Sequence, residues 1–193
     1  MKKNNGPVRD VLIIDAQNDF IEGPVAYVHA QPALDAIISF LNRNQSLRTF
    51  YSLDFHPPKH CSFTSEGGTW LVHCVQGTKW SELSEKFSSG ILNPKQRPSE
   101  LNSFYKGLSK EAEEYSTFDA RTFDGRRLRE ELSDAILLCG MSTEFTVKET
   151  ALAFASQGFD IAIYVPGLAW VQEKSHLATL ETLSSQGIRL IET

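Results

Sequence analysis

The chain has 193 residues, 41% of them hydrophobic and 22% charged, with a formal net charge of −5. That composition suits one ordinary globular domain over 1–193, large enough to bury a core without splitting. The negative balance argues against nucleic acid or an anionic membrane as partner. Residues 1–9 read as a loose, flexible lead, and the apolar run behind them, residues 11–14, is too short for a signal peptide or a membrane span. The cytoplasm is therefore the expected location, and three cysteines, Cys61, Cys74 and Cys139, odd in number and without metal-finger spacing, are expected as reduced thiols.

The first element is the continuously apolar run Val11-Leu12-Ile13-Ile14 ending at Asp15, the pattern of a strand buried on both faces of a parallel sheet. Ala33, Ile37, Ile38 and Leu41 then recur at helical spacing over 32–41, and a second strand-like run over 49–53 stops at Asp54. Residues 56–103 scatter Gly, Pro and Ser and are expected as a long excursion with short helical pieces, one around 80–87. A short third strand over 102–105, ending at Lys106, is only weakly patterned, with Gly107 directly behind it, and its placement rests partly on a family resemblance given below.

The second half alternates more cleanly: helix over 125–132, strand over 135–139, helix over 143–157, strand over 159–165, helix over 173–185 and strand over 188–191. Strands alternating with helices predict an α/β fold, a parallel sheet covered on both faces by right-handed crossovers. Such sheets take ligands beyond the carboxyl ends of their strands.

Four polar groups fall just there: Asp15, the triplet Asp54-Phe55-His56, Lys106, and the segment from Gly140 to Thr146. Asp54 and His56, with His73 as a third, can supply carboxylate oxygen and imidazole nitrogen to a divalent ion, with His60 as a spare. The same residues also describe an ordinary polar loop after a strand, and spacing alone does not choose between the two.

Longer strings are more specific. Asp15-Ala16-Gln17-Asn18-Asp19-Phe20, Asp54-Phe55-His56-Pro57, Trp70 with His73-Cys74-Val75-Gln76-Gly77-Thr78, Lys106-Gly107 with Tyr115-Ser116-Thr117-Phe118, and Gly140 through Thr150-Ala151 occur in that order. In these five blocks the chain resembles the isochorismatase-like hydrolases, and within them the metal-dependent nicotinamidases, from about residue 11 to the C-terminus. The resemblance implies a doubly wound six-stranded parallel sheet in the order 3-2-1-4-5-6 with the site along its carboxyl edge. It further implies a divalent ion, zinc or else manganese or iron, on Asp54, His56 and His73, with His60 behind them. The partner it implies is a small aromatic amide enclosed by Phe20, Trp70 and Tyr115. Relatives are often dimers or larger, so a homo-oligomer is a further expectation from the resemblance.

By the same resemblance Asp15 takes the proton of an attacking cysteine and Lys106 supports the charged state. A non-proline cis peptide, here Met141 to Ser142, turns a backbone N–H toward the oxyanion together with that of residue 146. The cysteine itself is replaced: its position holds Thr146. A thiol titrates near ~8.5 and an alcohol near ~16, about seven units or on the order of 10 kcal/mol of deprotonation. Three readings follow. One is a working amidohydrolase in which Thr146 or a metal-bound water attacks. Another is a nicotinamidase-like binding protein without chemistry, and the third is an isochorismatase-type vinyl ether hydrolase that needs no cysteine.

Overall fold

The computed structural model describes residues 7–193, so most of the expected loose lead, residues 1–6, lies outside the described residues. Six parallel strands form one sheet: β1 (Asp10–Ile14), β2 (Arg48–Asp54), β3 (Ser103–Lys106), β4 (Ala135–Met141), β5 (Asp160–Ala169) and β6 (Arg189–Ile191). Their spatial order is β3-β2-β1-β4-β5-β6, as the resemblance implied. The order in which successive strands are added reverses beside β1, where β2 flanks one side and β4 the other. A crevice at the carboxyl ends of these strands is where such a fold accepts a ligand.

Side chains of β1 alternate between two separate cores, which explains why its sequence is apolar without interruption. Val11 and Ile13 join Tyr51, Leu53 and the helix α2 (Ala30–Arg43), whose Ala33, Leu34, Ile37 and Leu41 form one buried stripe. Leu12 and Ile14 face the opposite layer, built by α5 (Lys148–Ser156) and α6 (Glu173–Ser185) through Ala151, Phe154, Leu180 and Leu183. Each fully buried Leu, Ile or Phe contributes about 1.5–3 kcal/mol, so the two cores hold the sheet edge rigidly between them.

Three short helices complete the set: α1 (Asn18–Ile21), α3 (Glu85–Gly90) and α4 (Leu128–Glu131). The excursion after β2 contains single 3₁₀ turns and α3, in keeping with its sequence, and Phe87 and Ile91 anchor it beneath the sheet. Two expectations need correction. The helix predicted over 125–132 is only α4, because residues 121–127 pair with each other and with β3 instead: Arg121 bridges both Tyr105 and Arg127. The helix predicted over 143–157 begins as a π turn, Thr143–Val147, in which the Val147 N–H reaches back to the Ser142 carbonyl at 3.0 Å. Such turns occur preferentially at functional sites. Among the described residues no helix is long and apolar enough to cross a membrane.

Candidate active site

Strand register brings the polar groups together. Asp54 pairs with Lys106 across β2 and β3, while Ile14 pairs with both Ser52 and Gly140, so Asp15, Asp54, Lys106 and the end of β4 share one edge. Gly140 has φ +119°, and a Cβ there would lie 2.0 Å from the Ile14 carbonyl oxygen, so this close approach of β4 to β1 requires glycine.

Lys106 is the centre of the charge arrangement. Its ammonium, 2% exposed, lies 3.0 Å from Asp15 Oδ2 and also donates to Asp54 Oδ1. Asp15 sits in left-handed backbone, φ +50°, and its Oδ1 accepts from the Ser52 hydroxyl at 2.8 Å. Burial pushes the Asp15 carboxyl up to about 6, against the opposing pull of Lys106. Burial acts on Asp54 in the same direction, yet Lys106 and His56 outweigh it and hold that carboxyl well below the usual range. Two buried acids therefore differ in charge tendency, Asp15 poised near neutrality and Asp54 held ionised by its neighbours, a separation of the kind that can divide proton transfer from fixed charge.

Gln17 fixes Asp54 from behind. Its amide nitrogen donates to the Asp54 carbonyl at 2.7 Å and its oxygen accepts the Asp54 N–H at 2.8 Å. Asp19 does the same for the neighbouring segment, accepting the N–H of Cys74, which has φ +46°, at 2.6 Å.

The candidate metal ligands converge: one donor atom each from Asp54, His56 and His73 lies within 4.8 Å of the others, all three residues being buried. Both histidines are tethered through Nδ1, His56 to the Gly107 carbonyl at 3.1 Å and His73 to the Leu71 carbonyl at 2.7 Å. Tethering to carbonyls places the proton on Nδ1 and leaves Nε2 with a lone pair, the arrangement that orients imidazoles for a metal. The Nε2 of His56 is buried without a hydrogen-bond partner, 3.6 Å from Asp54 Oδ1. Burial lowers the affinity of His73 for a proton, which favours the neutral ligand form, whereas at His56 the Asp54 carboxylate outweighs burial and raises it. One carboxylate and two neutral imidazoles are a donor set that fits a divalent ion such as zinc. His60 differs: Nδ1 accepts from the Ser62 N–H and meets the Ser62 hydroxyl, while Nε2 faces the Ala112 carbonyl. Both its nitrogens are engaged and its ring packs 4.0 Å from that of His56, so it supports the triad from behind.

The aromatic residues fall in two groups. Trp70 donates from its indole nitrogen to the Tyr115 hydroxyl at 2.9 Å, and both rings meet Phe145, at 5.0 and 5.7 Å between centroids. Phe20 instead contacts His73 and stacks on Tyr27. Neither Phe145 nor Tyr27 was a sequence candidate. Phe145 could have been suspected from its position next to Thr146; Tyr27 lies in an irregular stretch with no periodic signal. Burial, with Asp54 and Asp15 nearby, pushes the Tyr27 phenol well above its usual range.

The Met141–Ser142 peptide is cis. Thr146 is buried, and its hydroxyl donates to the Met141 carbonyl at 2.5 Å. Neither buried thiol substitutes for the missing cysteine: Cys139 points from β4 into the α2-side core, and burial pushes both it and Cys74 far from thiolate.

A sequence profile of the isochorismatase domain matches residues 11–193. The chain belongs to the isochorismatase family. Curated relatives within this family include the nicotinamidase of Escherichia coli, 28% identical over 92% of this chain and 96% of its own. The nicotinamidase/pyrazinamidase of Mycobacterium tuberculosis is 27% identical over 95% and 98%. Among solved structures, pyrazinamidase of Pyrococcus horikoshii in complex with zinc superposes with a TM-score of 0.80 at 23% identity, covering 97% of this chain and all of the other, a likeness of fold. The PnC1 protein of L. infantum in complex with nicotinate superposes at 0.75 with 26% identity, over 96% and 92%.

Proposed function

We propose that this protein is an amidohydrolase of the nicotinamidase type, converting a small aromatic amide such as nicotinamide to the acid and ammonia. The observation that carries the reading is the buried Asp15–Lys106–Asp54 chain set directly beside a triad able to hold a divalent ion. Nicotinamidase relatives over nearly the full chain support the substrate class. A divalent ion held by Asp54, His56 and His73 would supply a Lewis-acidic centre able to bind a pyridine nitrogen and so fix the ring.

The chain's own residues account for the remaining chemistry. Trp70, Tyr115 and Phe20 offer apolar faces to a flat ring. The Thr146 oxygen attacks the amide carbon while its proton passes to Asp15, whose carboxyl near 6 is suited to accept it at neutral pH. Lys106 stabilises the ionised Asp15 before transfer. The oxyanion is met by backbone N–H groups at residues 142 and 146. Asp15 then returns the proton to the departing nitrogen, giving ammonia and an ester on Thr146, and deprotonates the water that hydrolyses the ester. Amide plus water gives acid plus ammonia, with Thr146 and Asp15 restored.

One observation favours a second reading, a binding protein that keeps the pocket without turnover: the Thr146 hydroxyl is committed to the Met141 carbonyl and must turn away to react. Comparison of parent, Asp15→Ala and Thr146→Cys proteins, metal-replete and assayed for ammonia release from nicotinamide, separates the two. Turnover in the parent that disappears in Asp15→Ala supports the hydrolase. A silent parent with activity gained in Thr146→Cys would establish the binding protein instead.

A further inference from the structure

The strap between α1 and α2, residues 22–29, is irregular yet firmly held. The Tyr27 N–H donates to the Phe20 carbonyl at 2.9 Å, and Val28 exchanges both backbone hydrogen bonds with Trp170, at 2.8 and 3.1 Å. His29 stacks on the Trp170 ring at 4.8 Å, and Trp170 stacks in turn on His176 at 4.2 Å. This latch at the carboxyl end of β5 presses Tyr27 inward. Its ring lies almost parallel to that of Phe20, 7° between planes and 4.9 Å between centroids, while the His73 ring lies 5.5 Å from Phe20 at a tilt of 49°. The far end of the Tyr27 ring, its hydroxyl, faces Ser142, whose buried Oγ has no well-formed hydrogen bond. Tyr27 thus lies between two residues of the candidate site, Phe20 of the ring wall and Ser142 at the end of β4.

We infer that Tyr27 is a specificity-determining residue of the ring site: it covers one face of Phe20 and narrows the wall left to a ligand, so that only a single small ring is admitted and bicyclic amides are excluded. The ligand class rests on the amidohydrolase reading; the space that truncation of Tyr27 would open between Phe20 and Ser142 does not. Truncating Tyr27 removes a phenol from between Phe20 and Ser142, and the space left is apolar on the Phe20 side and polar at the Ser142 end. Such a space should accept free phenol, the group that was deleted.

The test uses full-length, zinc-loaded parent, Tyr27→Ala and Tyr27→Phe proteins titrated calorimetrically with phenol, nicotinamide and quinoline-3-carboxamide. Tyr27→Ala is expected to bind phenol and the bicyclic amide at least about tenfold more tightly than the parent, while Tyr27→Phe, which keeps the ring, continues to exclude both. A folded Tyr27→Ala that gains neither phenol nor the bicyclic amide overturns the inference, and if the parent still hydrolyses nicotinamide, the amidohydrolase reading stands without it. Gain of phenol binding with no carboxamide bound by any of the three proteins upholds the space opened by truncation and removes the amide reading. Should Tyr27→Ala not fold, Tyr27→Val carries the same expectation and the same refutation.

Discussion

Replacing Lys106 with methionine, nearly the same shape without the charge, isolates what the central ammonium does. Lys106 is 2% exposed and contacts Asp15 and Asp54, so its removal leaves two buried carboxylates without their common cation. Breaking a buried ion pair by deleting one partner costs about 3–5 kcal/mol. The pH dependence gives the sharper signature. Asp15 already has its pKa raised from 3.8 to about 6 with the lysine present, and loss of the cation raises it further. A carboxyl whose folded pKa exceeds its unfolded value costs no stability below the unfolded pKa and progressively more as pH rises through the folded one. The variant should therefore be destabilised by about 3–5 kcal/mol near pH 8 and recover part of that near pH 5, where Asp15 holds its proton. Urea denaturation followed by far-UV circular dichroism, with chelator present throughout, measures both values. A loss under about 1 kcal/mol at pH 8, or an equal loss at both pH values, would show that Lys106 is not the counter-ion of these carboxylates.

Other consequences follow from single contacts. Thr146→Cys replaces a hydroxyl held by Met141 with a group about seven units more acidic, so ammonia release from nicotinamide should rise at least about a hundredfold; an unchanged rate in folded, metal-loaded protein would remove Thr146 from the reacting position. With Asp15 as base, kcat/KM should increase tenfold per pH unit up to about 6 and level off above it, and a profile flat from acid to neutral pH would contradict that role. A Cβ at Gly107, φ +66°, would lie 2.4 Å from the His56 ring, so Gly107→Ala should weaken zinc binding about 10–100-fold in a chelator competition. Unchanged affinity would mean that His56 is not oriented through this carbonyl.

Much of this architecture is legible in the sequence because the sheet is buried on both faces. The run of residues 11–14 has to be a central strand, since each side chain alternately enters one of two cores. Asp15 and Asp54 were readable as edge residues because each ends such a run, whereas the short, weakly patterned strand before Lys106 was placed partly through the family resemblance. The π turn was not, since helical periodicity cannot distinguish a hydrogen bond to the fifth preceding residue from one to the fourth across a single turn. Gln17 and Asp19 act through backbone groups far along the chain, on Asp54 and Cys74, and only the folded contact gives them a role. Tyr27 is placed by the latch of Val28 onto Trp170, an antiparallel pair formed across more than a hundred residues and carrying no local pattern.

The central claim is chemical, and the most direct measurement of it is the product balance of freshly purified, zinc-loaded parent protein given nicotinamide at neutral pH, with nicotinate and ammonia quantified together. Both products are expected in equal amounts over many turnovers. Tight binding of nicotinamide with neither product formed would contradict it and leave a nicotinamidase fold that holds its ligand without cleaving it.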